Sequence, residues 1–249
     1  MKIILSRKGF DASCGGVASP ILPNGTLLSL PIPSADSPIT YDELHVDDQP
    51  VGSLVEGLTD GRVRRDDGAH LDPDIRASAY PRQPGWRPLF GQDGTAQAHL
   101  TNSGVGVGDI FLFFGWFRRT ERTEEGHRFV RGAPDLHVLF GWLQIGAIVS
   151  LDASRPSIPI WARYHPHVHE DAEGRNTLYV AREDLLLPGT LRRAAGGGAF
   201  GSYRESLGLT APGQTRSVWR LPTGIATRSP TPHLPARPIA APLAPAAHT

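Results

Sequence analysis

Cysteine occurs once in this chain, at Cys14, and methionine once, at its start. A lone thiol excludes an internal disulfide framework and a thiolate-rich zinc site. It also suits a reducing, cytoplasmic compartment. Net charge is lacking too: 25 basic residues balance 25 acidic ones, so no global field draws in a polyanion or a membrane surface. Any nucleic-acid contact must come from a local patch. Nowhere do about eighteen apolar residues run together, which excludes a membrane-spanning helix. The first six residues are too soon broken by Arg7 and Lys8 to act as a secretory leader. What is plentiful is Gly (28) and Pro (23), together about a fifth of the 249 residues, a composition that favours short strands and turns over long helices. The length allows a full hydrophobic core.

The densest apolar run is 107–117, rich in Phe, punctuated by Gly106, Gly108 and Asp109 and followed by Arg118 and Arg119. It reads as the central strand of a sheet, stopped at the solvent edge by the two arginines. A second run, 135–151, reads as a long strand bent at Gly141 or Gly146. Each run holds a Gly-Trp pair, at Trp116 and Trp142, and the two are expected to pair with each other. Residues 2–6 read as a first strand, Asn24-Gly25 as a hairpin turn with 26–32 as the returning strand, and 176–181 as another strand. Thr40 and Glu43 fit a capping box at the start of a short helix. Residues 61–97 lack periodicity but contain Tyr80, Trp86 and Phe90, so they form a long ordered excursion. Residues 200–209 suit a helix or a loop, and 213–222 a last strand or edge.

Candidate chemistry falls in several places. His165, His167 and His169 alternate, so on an extended segment all three face one way as a metal face, with Glu170, Asp171 and the distant His99 or His137 as further ligands. The alternative is a solvated polar turn, with Pro166 marking a strand end. His99 and Asn102, just before the central strand, offer proton transfer and amide recognition, or ordinary turn chemistry. Arg7, Lys8 and Asp11, in the loop after the first strand, either hold a phosphate or form an ion pair that fixes the loop. The acidic pairs Asp47-Asp48, Asp66-Asp67 and Asp72/Asp74 suit a divalent cation or acid/base work, or simple surface solvation. Cys14 is a nucleophile on a tight turn or a small buried thiol. Trp116 and Trp142 stack a base or belong to the core.

Several stretches together resemble the third of the nucleotide-modification-associated domain families. They are 7–11, Gly15-Gly16 with 19–21, 27–33, 108–118, 137–146, His165-Pro166-His167, 176–180 and 219–222. The likeness spans nearly the whole chain except its end. Cys14 and Ala18 stand where other small or polar residues are expected. The resemblance implies a link to modified nucleotides or nucleic acids. A second likeness, to PUA-like barrels of the ASCH and EVE kind, rests on 108–114 and 138–148.

The expected fold is α+β, mostly β: a mixed or antiparallel sheet, open or closed into a barrel, with few helices. It occupies a single domain over 1–225, followed by a disordered Pro/Ala-rich tail over 226–249. The expected function is that of a protein of nucleotide or base modification systems, cytoplasmic and without a membrane partner. It binds a nucleotide or nucleic acid, and whether it also acts on that ligand as an enzyme is left open by the sequence. Arg7, Lys8, Asn102, Trp116 and Trp142 would bind the ligand, and His99, His167 and Asp11 would be catalytic. A divalent metal on His165, His167 and His169 is the cofactor considered. The alternatives are a non-enzymatic reader that stacks a modified base on Trp116 or Trp142, and a His-ligated metal enzyme acting on another small metabolite.

Overall fold

The computed structural model describes residues 1–46, 49–151, 158–169, 175–189 and 193–221. The Asp47-Asp48 pair, Glu170, Asp171 and the 226–249 segment lie outside the described residues. The strands are β1 (Ile3–Arg7), β2 (Ser19–Ile21), β3 (Ile32–Pro33), β4 (His45–Val46), β5 (Gln49–Pro50), β6 (Ala69–His70), β7 (Leu89–Asp93), β8 (Ile110–Thr123), β9 (Gly126–Phe129), β10 (Leu136–Ser150), β11 (Asn176–Ala181) and β12 (Gly197–Ala199). The helices are α1 (Val51–Leu58), α2 (Gly94–Asn102) and the single turn α3 (Pro166–His169).

The main sheet is mixed, in the order β1-β8-β10-β11-β7. β1 runs parallel to the first half of β8, and β2 runs parallel to its middle. β10 is antiparallel to β8, β11 to β10 and β7 to β11. β1 and β7 are the two ends of this path, so the sheet stays open and the barrel alternative is corrected. β8 is the inner strand that its composition indicates, but the two arginines do not end it. Arg118 and Arg119 pair with Pro20 and Ile21 of β2, and the strand runs on to Thr123 in a hairpin with β9. Backbone pairing partners, not side-chain charge, set its length.

Side chains alternate across β8 as a pleat requires. Phe111, Phe113 and Phe117 bury on one face among Phe90, Phe140 and Tyr179, whereas Phe114 turns to the other face and meets the rings of His137 and Trp219. β10 changes register at two points, between Leu139 and Gly141 against β8 and between Ile145 and Ala147 against β11. Phe140 and Gly146 are the extra residues, and both bulges fall at or beside the glycines expected to bend the strand.

Two further clusters complete the interior. Val51, Leu54, Val55 and Leu58 recur at helical spacing along α1 and pack with Leu30, Tyr41 and Leu44. Leu89, Leu151, Ile158, Leu178 and Val180 form the third cluster. The capping box forms: Glu43 accepts from the Thr40 backbone N–H at 2.8 Å and opens the 3-10 turn Tyr41–Glu43. The Asn24-Gly25 turn forms as well, but its return is not a full strand: Leu27 bridges Ile21, Thr26 bridges Ser202, and Ile32 pairs with His70. Residues 200–209 hold a 3-10 turn, Glu205–Leu207, within a loop, and Trp219 makes an isolated bridge to Thr210.

Candidate functional site

Arg7 closes β1 and Lys8 follows it, its N–H still bonded to the Phe114 carbonyl, and successive side chains on extended backbone point to opposite faces. Two groups of functional side chains result. On one face Arg7 joins Phe10, Asp11, Ser13, Trp116, His137 and Arg216 around a cavity of about 160 Å³. On the other, Lys8 reaches 2.9 Å to Asp72 and lies over the Phe90 ring, 4.4 Å from its centroid.

The Arg7 cavity is built from four elements. Trp116 on β8 and His137 on β10 are directly opposite in the register, which sets their side chains side by side. The 209–220 segment crosses this face, held by the Leu209 N–H to the His137 carbonyl at 2.8 Å, and brings Arg216 and Trp219 with it. The Arg216 guanidinium lies 4.0 Å from the Trp116 ring centroid, and the Trp116 indole N–H is buried with no hydrogen-bond partner among the described residues. The Trp219 indole N–H points at His137 Nδ1 at 3.0 Å. The same N–H also reaches the Arg216 carbonyl at 3.1 Å, so it is shared between the two acceptors. Burial, then the charges of Arg216 and Arg7, hold the His137 pKa down at about 4, so this ring is neutral at physiological pH.

Asp11 organises the loop below. Its Oδ1 accepts from the Ser13 N–H, the Ser13 hydroxyl and the Cys14 N–H at 2.7–2.8 Å, and its Oδ2 pairs with Arg7 at 3.0 Å. Burial pushes the carboxyl up, but these bonds and Arg7 bring it net below the ordinary value. Gly15, at φ +81°, lets the loop fold over Phe10, whose ring a Cβ there would strike.

The Lys8 group is almost fully enclosed. Asp72 accepts from Lys8 at Oδ2 and from the Gly91 N–H at Oδ1, 2.7 Å away. His165, wholly buried, stands with Nε2 3.5 Å from Asp72 Oδ1, too long for a well-formed hydrogen bond, and among the described residues neither of its ring nitrogens has a closer partner. His167 Nε2 is 4.0 Å from Asp72 Oδ2, and the His70 ring meets the His167 ring edge-on at 5.2 Å. Asn176 donates from Nδ2 to the His167 carbonyl and presents Oδ1 to His167 Nδ1 at 3.0 Å. Burial would raise the Asp72 pKa, but the Lys8 ammonium, with His165 and His167, holds it well below the usual carboxylate range. Burial pushes His167 below its ordinary value, against the pull of Asp72.

The structure thus draws Arg7, Asp11 and Trp116 together, and Lys8, His165 and His167 together elsewhere. The 165–169 segment is not extended but turns through α3, because the His165 carbonyl accepts the Val168 N–H. His169 consequently leaves the other two and points its Nε2 at the Arg163 carbonyl on the surface. His99 and Asn102 are exposed on α2 and join neither group. Trp142 packs against Phe200 and donates its indole N–H to the Ala195 carbonyl. Cys14 is partly buried in the Asp11 loop.

His70, Asn176 and Arg216 were not singled out by sequence as site residues, and Asp72 was weighed only with Asp74, as a cation or acid/base pair or as surface solvation. Asp72 and Asp74 are both buried, which removes the surface-solvation reading for that pair. The signal was available, since Leu71 and Ile75 flank them and both pack into the interior. Asp74 holds Arg82 in a fork at 2.5 and 2.6 Å and accepts from the Tyr164 hydroxyl, tying the 61–97 excursion to the 160–164 turn.

A family model described as nucleotide modification associated domain 3 matches residues 2–237. No curated protein and no solved structure matches the chain.

Proposed function

The chain belongs to the nucleotide modification associated domain 3 family, and from that premise we propose that it binds a nucleotide-like ligand in the Arg7 cavity. The family's description associates it with nucleotide modification systems; the ligand and its seat are our reading. The observation that carries it is the pairing of two guanidiniums, Arg7 and Arg216, with Trp116 and a neutral His137 around one cavity. Guanidiniums suit a phosphate's bidentate geometry, and Arg216 has no carboxylate partner among the described residues. The Trp116 indole N–H, which has no hydrogen-bond partner among the described residues, supplies a further donor for a ligand oxygen. A volume of about 160 Å³ takes a phosphate or one ring and leaves the rest of a nucleotide in solvent.

The Arg216 guanidinium already covers one face of Trp116, which favours phosphate capture over base stacking on that ring. Calorimetric titration with deoxynucleoside mono- and triphosphates tests the reading. Binding is expected to weaken about tenfold for Arg216→Ala or Arg7→Ala, the loss of one charge-assisted contact at about 1.4 kcal/mol. The surface variant Arg128→Ala should bind as the wild type does. Absence of binding at millimolar nucleotide, or equal affinity in all four proteins, would overturn it.

A further inference from the structure

We infer that His70, Asp72 and His167 form a site for a divalent first-row metal ion, with His165 as the nearest further donor. This goes beyond the nucleotide reading and does not depend on it, because the group lies on the opposite face from the Arg7 cavity. One ligand atom from each of the three residues lies within 4.8 Å of the other two. Imidazole and carboxylate bonds to such ions are about 2.0–2.2 Å long, so the three donors need to close by only about half an ångström to an ångström around an ion.

His167 is held as metal-binding histidines are held. Asn176 commits its Nδ2 to the His167 carbonyl, so its Oδ1 is the atom facing His167 Nδ1. The ring proton is fixed on Nδ1, and the basic nitrogen Nε2 is turned towards Asp72. A carbonyl oxygen that orients an imidazole in this way is the usual outer partner of a ligating histidine.

His165 points independently to a guest. It is wholly buried, and among the described residues neither of its ring nitrogens has a hydrogen-bond partner, a state that buried polar groups avoid. Its Nε2 is already 3.5 Å from Asp72. Gly91 keeps the space open: a Cβ at that position would lie 2.1 Å from the His167 ring. Two or three imidazoles with one carboxylate suit zinc, manganese, cobalt or iron, and with a single cysteine in the chain no thiolate set competes.

Lys8 is the competitor. Its ammonium occupies Asp72 Oδ2, and its side chain is 17% exposed, so it has a way out to solvent. Entry of a dication displaces Lys8 from Asp72. This gives the site a signature that a chance surface chelate lacks: removing a cation should tighten metal binding.

The test is metal analysis of protein purified without chelator, followed by titration of the stripped protein with Zn²⁺, Mn²⁺ and Co²⁺. One equivalent is expected in the wild type, with binding abolished in His167→Ala. Asn176→Ala should weaken it about 10- to 100-fold, as loss of an outer partner does. Lys8→Met should bind more tightly than the wild type. Circular dichroism selects the variants that fold, and the wild-type titration stands without them. No stoichiometric binding of any of the three ions overturns the inference, and so does metal whose affinity is indifferent to these substitutions.

Discussion

Asp72 and Asp74 are separated by one proline, yet each anchors a different buried network, one to Lys8 and one to Arg82. Breaking such a pair leaves a buried charge without its partner. Asp72→Asn is therefore expected to cost about 3 kcal/mol in urea denaturation, whereas removing Arg128 from its exposed pair with Glu121 should cost less than about 1 kcal/mol. His137 gives a pH signature. Its folded pKa, about 4, lies below its unfolded value near 6.5, so between these the unfolded chain binds the extra proton. Its contribution is complete above pH 6.5 and is lost as the pH falls towards 4. With solvent reaching the cavity that loss is at most about 2 kcal/mol. His137→Gln should flatten the stability profile over that window in thermal melts at stepped pH. These residues were only half legible. Arg7, Asp11 and Trp116 are reactive or recognising side chains in any setting and stood out, but Asp72 stayed between a cation or acid/base role and surface charge, because burial depends on where Leu71 and Ile75 go and not on Asp72 itself.

At the level of elements, β8, β10 and β11 were legible because their apolar runs have no other way to be buried, and the bulges followed from glycine placement. α3 was not. Alternation of His165, His167 and His169 reads as an extended face, and a single helical turn leaves too few residues for a 3.6 period to show. α1 was missed although 51, 54, 55 and 58 have helical spacing, since eight residues after a proline are easily taken for a loop. The close packing of β7 against α3 makes its own prediction. A methyl group at Gly91 meets the His167 ring, so Gly91→Ala should destabilise the fold by about 1–3 kcal/mol through overpacking, read by the denaturation midpoint at unchanged slope.

Over the whole molecule, the Asp72 group lies where the three hydrophobic clusters approach one another. Leu71 belongs to the first, Phe90 to the second and Leu89 to the third, and Ala162 and Val168 on either side of His165 pack with the third. Clusters joined through a shared polar centre should melt together. Tryptophan fluorescence and far-ultraviolet circular dichroism are therefore expected to report one coincident transition, and separate midpoints would show the α1 cluster to be an independent unit. The α+β class was legible from the balance of Gly, Pro and apolar runs. Whether the sheet closes was not, because closure depends on whether β1 and β7 find each other, which no local pattern encodes.

One peptide unit joins Arg7 to Lys8, and the Lys8 N–H donates to the Phe114 carbonyl of the central strand at 2.9 Å. A phosphate held by Arg7 and an ion that expelled Lys8 from Asp72, as proposed, would act on the same link from opposite sides of the sheet. Were both proposed ligands to bind, thermodynamic reciprocity would require any factor by which metal changes nucleotide affinity to equal the factor by which nucleotide changes metal affinity. Repeating the nucleotide titration with and without metal measures that coupling, and makes the end of β1 a lever whose fulcrum is the central strand.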